Sequence, residues 1–172
     1  MISLRQIQYL FIPIIFYFSF AEVQASQLCP TQKSKAVLIL QSPDMQTQFC
    51  DLSDLDSMPQ EELLTSLPSG LGIIGKNEWS GISLKYIVQN LGAKEDSVIE
   101  LAALNDYVIS IPMKSINTYN PVLASRLNGN TISIRSKGPL ILIYPFDKYR
   151  EINTPLYQDY TIWMIHEIRV KQ

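Results

Sequence analysis

The stretch Trp79–Gly92, WSGISLKYIVQNLG, decides how the chain around it folds. Ser83 suits an N-cap, because its hydroxyl can accept from a backbone amide that the first helical turn leaves without a partner. Leu84, Ile87, Val88 and Leu91 then make one apolar stripe, and Gly92 sits just past the end, where helices commonly turn left-handed. The spacing predicts a short amphipathic helix beginning after Ser83. Immediately upstream, Trp79-x-Gly81 reads as a core aromatic beside a tight turn that feeds the helix.

Upstream of this helix the patterns shorten. Ser69–Asn77 is rich in Gly, Ser and Asn and reads as a loop around a short Ile73–Ile74 strand. Glu61–Leu67 reads as a strand, Asp51–Pro59 as a turn or one helical turn, and Ala36–Leu40 as an apolar strand. Downstream, Val98–Leu104 and Tyr107–Ile111 read as two strands around Asn105-Asp106. Val122–Leu127, Asn128-Gly129 and Asn130–Arg135 make a hairpin signal, since Asn-Gly supplies both positive φ angles of a type I′ turn. Lys137-Gly138-Pro139 marks a second turn, Leu140–Tyr144 a near-continuous apolar strand expected at a sheet centre, and Ile162–Val170 the closing strand. With no repeat or linker, the expectation is one α+β domain, mostly β, with one firm helix and up to two short ones.

The N-terminus carries a different signal. Arg5, an apolar run from Tyr9 to Phe20, and the small-x-small pair Val23 and Ala25 form the three regions of a secretory leader. A membrane anchor needs about 20 apolar residues, and this run is shorter and contains Pro13. Residues 1–25 are therefore expected to be a cleaved signal peptide. Residues 26–172 would be the working domain, in the periplasm or secreted, with no membrane span after cleavage. The leader holds one base, Arg5, and one acid, Glu22, so the net charge stays at −2 without it. No clustered Lys or Arg points to nucleic acid. Cys29 and Cys50 are the only cysteines. An isolated pair in an oxidising compartment favours a disulfide, and the spacing matches no CxxC redox or metal motif.

From Leu52 to Val170 the chain resembles the oxidoreductase molybdopterin-binding domain, the fold of sulfite oxidase, and most of all its small stand-alone exported members. The resemblance rests on ordered pieces: Asp51-Leu52-x-x-Leu55 with Met58-Pro59 and Thr65; Trp79-x-Gly81-Ile82-x-Leu84; Gly92; and Leu101-Ala102-x-Leu104-Asn105-Asp106-Tyr107 with Ile111-Pro112. Leu123-Ala124, Asn128-Gly129, Lys137-Gly138-Pro139-Leu140, Ile143-Tyr144-Pro145 with Asp147, and Trp163 with Ile168 and Val170 complete it. It implies a mixed-sheet, mostly β domain with a few helices. It also implies a cysteine thiolate on molybdenum, from the loop ahead of the Trp-x-Gly segment, because a soft anionic sulfur suits that metal.

That loop, Thr65–Trp79 (TSLPSGLGIIGKNEW), contains no cysteine, and Cys50 lies before the Asp51-Leu52 motif. After Gly138-Pro139, where catalytic members often carry Arg, the chain continues Leu140-Ile141-Leu142, leaving Arg126 and Arg135 only as distant substitutes. Arg5 alone makes no twin-arginine signal, so the cargo would cross unfolded and empty. No cofactor is therefore expected, with molybdopterin possible through the resemblance only, and no catalytic or metal-binding residue is assigned. The single histidine, His166, in the closing strand reads as a packed or rim residue, and a His-based triad or zinc site lacks parts. The acids Glu61, Glu62, Asp51, Asp54 and Asp56 read as solvated surface and loop charge.

The expected function is a module that binds a small ligand or a periplasmic or membrane signalling protein through the old cofactor cleft. Its candidate rim is Trp79, Asn105, Asp106, Tyr107, Asn128 and Lys137, although turn chemistry also accounts for Asn105, Asp106 and Asn128. The competing readings are a molybdopterin-dependent oxidoreductase with an atypical ligand set, and a purely structural secreted domain.

Overall fold

The computed structural model describes residues 27–30 and 34–172. The signal-peptide reading of residues 1–25 lies outside them. Among the described residues no helix is long and apolar enough to cross a membrane.

Two five-stranded sheets make the frame. The first runs in the order β2 (Thr47–Cys50), β1 (Leu38–Gln41), β10 (Ile165–Lys171), β5 (Val98–Ala103), β6 (Val108–Pro112). Among the described residues only the β1–β10 pair of this sheet is parallel, and it joins their first strand to their last. The second sheet runs β3 (Glu61–Ser66), β4 (Lys76–Ser83), β7 (Val122–Leu127), with β8 (Asn130–Thr131) and β9 (Ile141–Ile143) both paired to β7. Four short helices, α1 (Leu52–Ser57), α2 (Leu84–Asn90), α3 (Met113–Tyr119) and α4 (Pro155–Tyr160), fill the connections. This is the mostly β α+β domain expected from the sequence.

The helix that the opening stretch predicts is α2. Its stripe of Leu84, Ile87, Val88 and Leu91 is buried in the main core. The Ser83 hydroxyl oxygen accepts from the Tyr86 amide at 3.2 Å and donates to Asn120 Oδ1 at 2.6 Å. Asn120 is the left-handed C-cap of α3, so one side chain starts α2 and latches the end of α3. Gly81 is needed for close approach: a Cβ there would stand 2.1 Å from the Leu123 carbonyl oxygen across the β4–β7 pair.

The middle of the second sheet, where β4, β7 and β9 meet, is apolar on both faces because it separates two cores. Ile82, Leu123, Leu140 and Leu142 face the larger core, while Trp79, Val122, Ala124, Ile141 and Ile143 face the smaller one. Alternation within β9 therefore produces a continuous apolar run rather than an apolar–polar pattern. The first sheet keeps one face in water, where Arg169 pairs with Glu100 at 2.6 Å and with Glu167. Those carboxylate hydrogen bonds raise the Arg169 guanidinium pKa.

Some local readings need correction. Ile73–Ile74 is not a strand, and Ile74 is 96% exposed. The Asn128-Gly129 turn forms with positive φ at both residues, but β8 ends after Thr131 and gives way to a 3-10 turn at Ile134–Ser136. Instead of lying between two full strands, β9 has β7 on one side and the irregular Ile162–Trp163 segment on the other. The pairing of β10 with β5 shifts between Ile165 and Glu167, so Ile165 and Ile168 are both buried and His166 is turned off the apolar face. Its Nδ1 lies 3.1 Å from the Ala102 carbonyl oxygen. Helices α3 and α4 were not expected. Thr154-Pro155 at the start of α4 is a legible helix-entry signal, with proline at the first helical turn.

Candidate functional site

Three segments distant in sequence meet at one pocket of about 400 Å³. Ser69, Gly70 and Leu71 come from the β3–β4 loop, Ala103, Asn105 and Tyr107 from the β5–β6 turn, and Gln158 to Trp163 from the end of α4 and the approach to β10.

Local chemistry shapes each wall. In the β5–β6 turn the Ala103 amide donates to the Tyr107 carbonyl at 2.9 Å, and Asp106, at φ +63°, donates its amide to Ala103 at 3.0 Å. Asn105 Oδ1 accepts weakly from the Tyr107 amide at 3.4 Å, which leaves the Tyr107 ring half exposed on the pocket side. The Leu104 amide bonds the Met164 carbonyl at 3.0 Å and holds this turn against the third wall. In that wall the Thr161 hydroxyl donates to the Tyr157 carbonyl at 3.0 Å and closes α4. The Leu142 amide then bonds Ile162 at 2.9 Å, which fixes the position of Trp163. Tyr157 and Tyr160 of α4 pack ring to ring on Tyr144, and burial pushes the Tyr144 phenol pKa upward.

Four polar side chains of the pocket are unengaged. Among the described residues, the side chains of Ser69, Tyr107, Gln158 and Asp159 have no hydrogen-bond or ion-pair partner. Groups left open around a concavity are what a ligand needs for orientation.

The structure brings Asn105 and Tyr107 to this pocket, with Asp106 in the same turn. Lys137 borders it: its ammonium lies 3.6 Å from the centroid of the Trp163 ring, and its stem runs 4.0 Å from where a Cβ on Gly72 would stand. Asn128 is elsewhere, in the β7–β8 turn, where its side chain accepts from the Glu78 amide and donates to Asn77. Trp79 is no rim residue, being fully buried in the smaller core against Ile132, Ile141 and Ile143, with its Nε1 unpartnered. Its side chain lies on the face of the sheet that also carries Val122, Ala124, Ile141 and Ile143, and Ile132 packs into the same cluster. Sequence reasoning missed Trp163, Gln158, Asp159, Thr161 and Ser69 as lining. Trp163 was visible as a part of the family pattern, but no local signal pointed it at Tyr107.

With this geometry in place, the relatives can be compared. The sequence model of the oxidoreductase molybdopterin-binding domain matches residues 41–147, more than half of the chain, and the chain belongs to that family. A similar solved structure is the sulfane dehydrogenase SoxCD from Paracoccus pantotrophus, at TM-score 0.56 and 13% identity. The similarity covers 78% of this chain and 37% of that one, so this chain corresponds to little more than a third of the dehydrogenase chain and shares its fold. No curated protein sequence matches.

The residues present do not fit the cofactor in the family's description. Both sulfurs are joined in the Cys29–Cys50 disulfide, whose Cα atoms are 5.2 Å apart, so no cysteine thiolate is free for a soft metal. Among the described residues no cluster of three or more His, Cys, Asp or Glu forms a metal site. The lining carries a carboxylate, Asp159, and no Arg or Lys to meet a pterin phosphate.

Proposed function

We propose that this chain is an exported, non-catalytic member of the molybdopterin-binding-domain family, which uses the pocket between Tyr107 and Trp163 to bind a small ligand in the periplasm. The single observation that carries the reading is that pocket: its lining includes four unengaged polar side chains and two aromatic rings, and has no thiol. The disulfide supports an oxidising compartment. In this reading the ligand-bound face reports to a periplasmic or membrane signalling partner.

The alternative, an oxidoreductase that holds molybdopterin with an atypical ligand set, draws on the family match. Protein purified from its own periplasm separates the two. Molybdenum at stoichiometric level, or the fluorescence of an extracted pterin, overturns the binding-module reading. Protein free of both, whose melting temperature rises with small organic ligands and loses that response in Tyr107→Ala, supports it. Precursor retained at full length in the cytoplasm would defeat the export part on its own.

A further inference from the structure

We infer that the pocket selects a small organic cation, an amine or quaternary ammonium carried on a flat apolar body. This rests on the proposal that the pocket binds a ligand, and adds the charge and shape of what enters.

Asp159 is the formally charged residue of the lining, it is exposed, and it has no ion-pair partner among the described residues. Asp106 adds a second carboxylate in the neighbouring turn. An anion entering here would meet carboxylate with no cationic side chain in the lining.

Lys137 is the cation at the border. Its ammonium lies over the indole of Trp163 at 3.6 Å, so that ring face is taken and partly offsets the lysine charge, which leaves Tyr107 as the ring open to a ligand cation. Tyr107 supplies a second electron-rich ring in the lining, half exposed. Aromatic faces beside a carboxylate are the chemistry by which proteins hold ammonium groups. The flat body follows from Leu71, Ala103 and Ile162, which give the same cavity apolar wall. Ser69, Asn105 and Gln158 remain for neutral hydrogen bonds.

Three probes with the same ring and different charge test this: phenethylamine, 2-phenylethanol and 3-phenylpropionate, titrated calorimetrically into the full mature protein. The amine should bind about fivefold or more tightly than the carboxylate, as one ion pair and one cation–π contact would give. Asp159→Asn should remove about that factor for the amine and leave the alcohol unchanged. Asp159 is exposed, so the variant keeps the fold. Equal or tighter binding of the carboxylate, or amine affinity indifferent to Asp159→Asn, overturns the inference. If the alcohol or carboxylate binds best and Tyr107→Ala abolishes it, the charge assignment falls while the ligand-pocket reading stands. If none of the probes binds, the charge assignment falls and the pocket reading loses its support with it.

Discussion

Two corners of the molecule use the same residue types in opposite ways. At the N-terminal corner, Asp51 and Asp54 are buried rather than solvated as the sequence suggested, because they cap α1 reciprocally. The Asp51 carboxylate accepts from the Ser34 amide at 2.7 Å, the Ser34 hydroxyl at 3.1 Å, the Ser53 hydroxyl at 2.7 Å and the Asp54 amide at 3.0 Å. Asp54 reaches back to the Asp51 amide at 3.1 Å, completing a capping box at the start of α1. Gln48 accepts from Leu28 and Cys29, and the disulfide joins Cys29 to β2. At the pocket, Asp159, Gln158 and Tyr107 have no such partners among the described residues. Saturated polar groups hold a chain segment in place, whereas open ones around a concavity are available to something else. The first corner is built for stability and the second for binding.

Breaking the disulfide is the strongest challenge to that contrast. Replacing both Cys29 and Cys50 by Ser should cost about 3 kcal/mol in urea denaturation, because a 21-residue separation no longer restricts the unfolded chain. A loss near zero would show that Gln48 and Asp51 fasten the N-terminus alone. Next in size, Asp51→Ala should cost about 2 kcal/mol, since it removes the cap of α1 and leaves buried donors without an acceptor. Asp51→Asn should recover part of this loss.

A pH profile then probes the tyrosines behind the pocket. Burial raises the Tyr144 pKa above its ordinary 10.0, so the phenol ionises in the unfolded chain first. The unfolded state therefore releases protons earlier. The stability associated with Tyr144 is complete below pH 10 and declines as pH rises above it. Tyr144→Phe should flatten this alkaline decline, measured as the urea midpoint against pH. The smallest effect belongs to the pocket: Gln158→Ala and Asp159→Asn should each change stability by less than about 0.5 kcal/mol. A much larger loss at either position would mean that the pocket polar groups serve the fold after all, and the contrast would fail.

Much of the fold was legible because its determinants are local. The Ser83 cap, the Leu84–Leu91 stripe and Gly92 are neighbours in sequence, and they specify α2 through contacts within a few residues. Asn128-Gly129 needs only its own backbone preference to turn. The β8 strand was overextended because Ser133 and Gly138 close a turn of their own, with the Gly138 amide 2.7 Å from the Ser133 carbonyl. Trp79 was misplaced for a different reason. An aromatic before a glycine looks the same whether its face of the sheet is open or covered, and the cover comes from Ile132 and Ile141, more than fifty positions away.

By itself the sequence determined the family, the mixed and mostly β class, the capped helix, the turns and a disulfide as the favoured state of its two cysteines. These follow from short-range backbone preferences, side-chain periodicity and ordered motifs. Only the tertiary structure decided which groups share a cavity. It turned Trp79 inward and His166 off the apolar face. It also brought Ser69, Tyr107, Asp159 and Trp163 together from segments up to about ninety residues apart. Sheet pairing and core packing settle that convergence, and no local pattern encodes it.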